Sequence, residues 1–225
     1  MKKSIFSIVI VSSAVLFSTP ALSFGLGDIA TPSAVSGLLG GGSATASVSS
    51  LSKQQGSMMT KAVSSYENLT KAQALFAEAL GLEEELDFLN TETAQIGSGK
   101  FSEEESLEKY IAVSNKTQEV IDAKVAEGAE LSEESKTTFG KGLVPFAVGT
   151  GELVGVTKGI PDWLSGAAGS GVAGLSTLAS GLDSFPKIMS ATEALMSNMG
   201  TIISYAGNQG IDTSDVKAQA ANLSL

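Results

Sequence analysis

The apolar residues of this chain recur at steps of three and four, and that spacing constrains the fold more than any other feature. Val48, Leu51, Gln55, Met58 and Ala62 step three, four, three, four. Tyr66, Leu69, Gln73, Phe76 and Leu80 repeat the pattern after one extra step of four. Such spacing puts one side-chain stripe on a helix of 3.6 residues per turn and suits no strand, whose period is two. It predicts a long helix with a coiled-coil-like seam, interrupted by two Gln. Gly81 is a stop signal, although Leu82, Leu86 and Leu89 keep the register as far as Ile96.

Further helices announce themselves by their starts. Ser102-Glu103-Glu104-Glu105 is a capping box, with Ser at the cap and acids at the positive end of the helix dipole. Leu107, Ile111, Ser114, Gln118, Ile121 and Val125 then line one face down to Gly128. Ser132-Glu133-Glu134 opens the next helix in the same way. Asp183-Ser184 before Pro186 predicts another, carrying Ile188, Met189, Leu195, Met196, Met199, Ile202 and Ile203, and 212–223 predicts a tail helix. Alternating β-branched runs and Asn-Gly hairpin signals are missing from residues 24–225. The expected class is all-α: an elongated antiparallel helical bundle, residues 48–225, with a glycine-rich helical hairpin and a flexible N-terminal arm. Val48–Leu80 and Ser102–Gly128 would form its antiparallel core, and the hairpin would pack against them.

That hairpin, residues 139–182, is the unusual part. Between Gly142 and Leu182 only Glu152, Lys158 and Asp162 carry charge. Ala147, Gly151, Gly155 and Gly159 recur at every fourth position, and Gly166, Ser170 and Gly174 repeat the spacing beyond Ile160-Pro161-Asp162, where the chain is expected to break and re-cap. Small residues at this spacing let a second helix approach closely, as in a glycine zipper, so these seven residues are the candidate interaction site. Trp163 to Leu182 is uncharged and about the length that crosses a bilayer. Its many Gly and Ser make it only weakly apolar, so close packing within a bundle is the first reading and membrane contact through residues 142–182 the second.

Composition narrows the chemistry. The chain has no Cys and no His, and all 14 of its basic residues are Lys. It therefore has no histidine-based catalytic relay, thiolate nucleophile, disulfide or imidazole metal ligand, and no Arg fork for phosphate. A net charge of −10 disfavours nucleic acid. The excess is local: residues 83–134 hold 15 acids against four Lys. Glu83, Glu84, Glu85 and Asp87, and Glu103, Glu104, Glu105 and Glu108, could offer oxygen ligands to a divalent cation. They lack the loop that builds a calcium cage and read as solvated helix faces. Gly169-Ser170-Gly171-Val172-Ala173-Gly174 matches a dinucleotide fingerprint in letters, but no strand precedes it. Ser-x-x-Lys occurs at Ser50/Lys53, Ser184/Lys187 and Ser214/Lys217, a spacing that arises by chance in such a chain. A Ser/Lys or carboxylate hydrolase is the least favoured reading; no cofactor, metal or catalytic residue is expected.

Residues 1–23 have the layout of an export signal: Lys2-Lys3, an uncharged apolar run, Pro20, and small residues at Ala21 and Ser23 before a cut at Phe24. Residues 24–47 form a Gly/Ser/Ala-rich arm with a short helical turn expected at Pro32–Leu39. Together these predict an exported, non-enzymatic bundle in the periplasm or outside a bacterial cell. It would work by protein–protein interaction, self-association or scaffolding, with insertion of residues 142–182 into membrane as the alternative.

Overall fold

The structure, a computed structural model, describes residues 47–221; the stretch expected to be an export signal, nearly all of the expected arm with its turn at Pro32–Leu39, and the last four residues lie outside them. Among the described residues seven helices follow one another: α1 Val48–Ala79, α2 Glu83–Ile96, α3 Glu103–Ala126, α4 Glu133–Ala168, α5 Gly171–Thr177, α6 Ala179–Asn208 and α7 Ser214–Ala221. Among the described residues there is no strand, and the chain is an all-α bundle.

The α3 and α4 starts form where the sequence places them, at Ser102 and Ser132. Ser102 accepts the Glu105 backbone N–H while the Glu105 carboxylate accepts the Ser102 N–H, closing the capping box. The Ser102 backbone N–H and, beside it, the Ser102 hydroxyl both donate to the Glu105 carboxylate and hold it below the ordinary carboxylate range. A carboxylate depressed in the folded state contributes stability above its unfolded pKa and loses it as pH falls through the folded value. Ser102→Ala is therefore expected to cost about 1 kcal/mol at neutral pH, and Glu105→Gln to flatten the acid side of the stability curve. Urea titrations at pH 7 and pH 3 read both.

Gly81 sets the path of the chain beyond α1. It sits at φ +68°, where a side chain would be strained, and closes a C-terminal cap in which Leu82 N–H reaches Ala77 O at 2.9 Å and Gly81 N–H reaches Glu78 O at 3.1 Å. The register continues to Ile96, but in a separate helix that turns back along α1. Because α2 takes the return, α3 runs in the same direction as α1. Thr60 bonds Glu103 and, further along both helices, Gln73 bonds Ser114 and Gln118. The expected antiparallel pairing of α1 with 102–128 is thus replaced by a parallel one.

The long antiparallel partner of α1, beside the short return helix α2, is α4. Gly142 lies against Phe76, Gly149 against Leu69 and Ser65, and the Trp163 indole N–H donates to Leu51 O at 2.9 Å. α6 completes a four-helix ring, packing on α3 and α4. Trp163 meets Phe185 edge-on at 4.7 Å and Phe139 meets Tyr205 at 5.3 Å, so α4 and α6 are antiparallel. Lys187 reaches Glu108 at 2.6 Å between α6 and α3. α7 covers the start of α4 with Val216 buried.

Two proline readings change. α4 is continuous through Pro145 and Pro161, and α6 begins at Ala179 and passes through Pro186, ahead of the expected Asp183-Ser184 start. Each proline forfeits one backbone hydrogen bond. Ile160 and Trp163, both buried beside Pro161, hold the helix by tertiary packing that outweighs the local loss. The turn expected at 160–162 lies instead at Gly169-Ser170, between α4 and α5.

Candidate functional site

Helix α4 has two unlike faces, and the small residues are divided between them. Seven-residue spacing drifts by only about 20° per step, so Gly142, Gly149, Val156 and Trp163 stay along the α1 seam. A Cβ on Gly142 would lie 2.6 Å from the Phe76 ring and 3.1 Å from Ala72 O; one on Gly149 would lie 2.8 Å from both Leu69 Cγ and Ser65 O. These two glycines are where α1 and α4 touch backbone to backbone. Gly142 and Gly149 are not among the seven candidate residues; their place in a seven-residue series that ends at Trp163 is the signal in the sequence that marks them.

Four-residue spacing instead rotates by about 40° per step, and the predicted stripe therefore walks out of the core. Ala147 is buried, Gly151 half-buried and Gly155 exposed, with nothing within 4 Å of a Cβ built on Gly155. Gly159 is half-buried and its Cβ would only touch Met58 Sδ at 3.4 Å. In the second half of the stripe, a Cβ on Gly166 would lie 2.8 Å from Leu51, and one on Gly174 would collide with Ser170 and reach Val48 at 3.0 Å. Ser170 donates to Ala167 O at 2.6 Å. The seven candidates thus do not make one surface. Ala147, Gly166, Ser170 and Gly174 serve packing and turning, whereas Gly151, Gly155 and Gly159 reach the outside.

What surrounds the outward three is the candidate interaction face. Val144 and Val148 lie on the same side of α4 as Gly155 and remain 44% and 37% exposed. A groove of about 410 Å³ runs beside them, lined by Met58, Lys61, Ser64 and Ser65 of α1 and by Glu152, Gly155, Val156 and Gly159 of α4. Asn68 donates to Glu152 at 3.3 Å across its rim. Lys141 and Asp162 mark the two ends of the face; both are exposed, and neither makes an ion pair among the described residues. No family model, curated protein or solved structure matches this chain.

The remaining candidates are dispersed by the fold. Ser184 is buried, whereas Lys187 points out and is held by Asp183 and Glu108, both at 2.6 Å, which raises its pKa. Gly169 to Gly174 spans the α4–α5 turn between two helices. Glu85 accepts from Thr117 and Glu103 from Thr60, each at 2.9 Å, while Glu105 closes its cap. Among the described residues, no group of three or more metal-capable side chains converges. The two Gln in the α1 seam are buried: Gln55 donates to Ser180, and Gln73 donates to Ser114 O at 2.9 Å and Gln118 Oε1 at 3.0 Å. Gln118 in turn donates to Asp122 at 2.8 Å, whose carboxyl is pushed up by burial. This polar layer ties α1 to α3 in register.

Proposed function

We propose that this chain is an exported, non-catalytic helical-bundle protein of the bacterial envelope that acts by binding protein, with the outer face of α4 as its contact surface. The observation that carries this reading is the division of α4. Its inner glycines are filled by α1, while Val144, Val148 and Gly155 stay outside beside a groove, as apolar residues and small seats for a partner's side chains would. Export rests on the arrangement of residues 1–23.

Photo-crosslinking tests it. A benzophenone side chain at position 148, illuminated in the producing cells, is expected to give discrete protein adducts. Lipid adducts, or none, would overturn the reading.

Membrane contact is the second reading, favoured by Val172 at 87% exposure with Leu175 close by on α5. The uncharged stretch 163–182 is divided among the end of α4, α5 and the start of α6, and among the described residues no helix is long and apolar enough to cross a membrane. In a flotation gradient with anionic vesicles the protein is expected to stay at the bottom. Flotation that Val172→Asp abolishes would favour the membrane instead.

A further inference from the structure

We propose that the occupant of the α4 face is a second copy of this chain, docked antiparallel with the two-fold axis between Gly151 and Glu152; this rests on the protein-binding reading above and names its partner. The warrant is the order of residues on one face. About that axis, Val148 on one copy and Gly155 on the other stand opposite each other, as do Val144 and Gly159 one turn further out, and Lys141 and Asp162 at the ends. Each apolar knob meets a position without a side chain. Each end charge, unpaired within its own chain among the described residues, meets its opposite. A two-fold contact must be self-complementary in this way, since every pairing occurs twice. The two Glu152 carboxylates come near the axis, and Lys61, which borders the same groove in each copy, supplies compensating charge. A single helix from each side makes an interface at the low end of specific ones, below about 1,200 Å², so association in the micromolar range is expected.

Sedimentation equilibrium of the protein purified from its producing cells, over a wide concentration range, reads this directly. The expected result is a monomer–dimer equilibrium weakened at least tenfold by Gly155→Leu or Val148→Asp. Lys141→Glu and Asp162→Lys should each weaken it several-fold, and the double reversal should restore it at low salt. Circular dichroism checks that each variant is folded, and either face variant suffices if the other is not. A monomer at every concentration, a dimer indifferent to both face variants, or a double reversal that fails to restore association would overturn the proposal. A monomer that still forms a heterologous protein adduct at position 148 would overturn the second copy alone; absence of any adduct would overturn the protein-binding reading with it.

Discussion

Replacing Trp163 by Ala is expected to cost about 3–5 kcal/mol, a large share of the roughly 5–15 kcal/mol that holds a domain together. Trp163 is the only Trp in the chain and is 1% exposed. Its ring fills the space between α1 and α6, edge-on to Phe185 at 4.7 Å, and its N–H donates to Leu51 O. Alanine leaves a cavity where three helices meet and removes the anchor that carries α4 through Pro161. Trp163→Phe keeps most of the apolar volume but loses the donor, and is expected to cost about 1–2 kcal/mol. Urea unfolding followed by circular dichroism separates the two, because the fluorescent reporter is itself removed. A Trp163→Ala variant within about 1 kcal/mol of the parent would contradict this packing.

The second large effect is a reversal of sign within one helix. Alanine in a helix interior is favoured over glycine by about 1 kcal/mol, so Gly155→Ala, which meets open space, is expected to raise the unfolding midpoint. Gly149→Ala gains the same propensity. Its Cβ, however, falls 2.8 Å from Ser65 O and Leu69 Cγ, and a backbone oxygen cannot rotate away as a side-chain end can. Forcing α1 and α4 apart costs about 1–3 kcal/mol, and the net change is expected to be destabilising. Gly149→Leu should fail to assemble the α1–α4 seam. Parallel urea titrations of the two alanine variants at a concentration low enough to keep the protein monomeric check the sign. Midpoints that move in the same direction would contradict the two-faced α4.

Much of the fold was legible because it is local. Ser102 and Ser132 cap helices where the acids after them predict, and Leu107, Ser114, Gln118, Ile121 and Val125 are buried as the α3 stripe requires. On α1 the inward Met is Met59 rather than Met58, because α1 is wrapped by α2, α3 and α4 and buries more than one stripe. The direction of α3 was not legible. It depends on Gly81 at positive φ separating α2 from α1, and the unbroken register argued equally for one long helix. Proline at 161 reads locally as a break, yet the burial of Ile160 and Trp163 is a tertiary fact with no local signature.

The candidate site was legible in kind but not in its partition. Small residues at four-residue spacing mark a helix that something approaches closely. Which of them the bundle itself consumes depends on where α1 and α6 lie around α4, and that is set by the positions of Gly142, Gly149 and Trp163. Gly155 and Gly149 are the same residue six positions apart; Gly149 is pressed into a backbone and Gly155 is open.

The most direct measurement is the yield of photo-adduct at position 148 in a Gly155→Leu background, taken beside that variant's unfolding midpoint. The expected result is a folded protein with an undiminished midpoint and no adduct, because leucine fills the outer seat without touching the core. An adduct formed at the parent's yield would contradict the assignment of the outer α4 face as the contact surface.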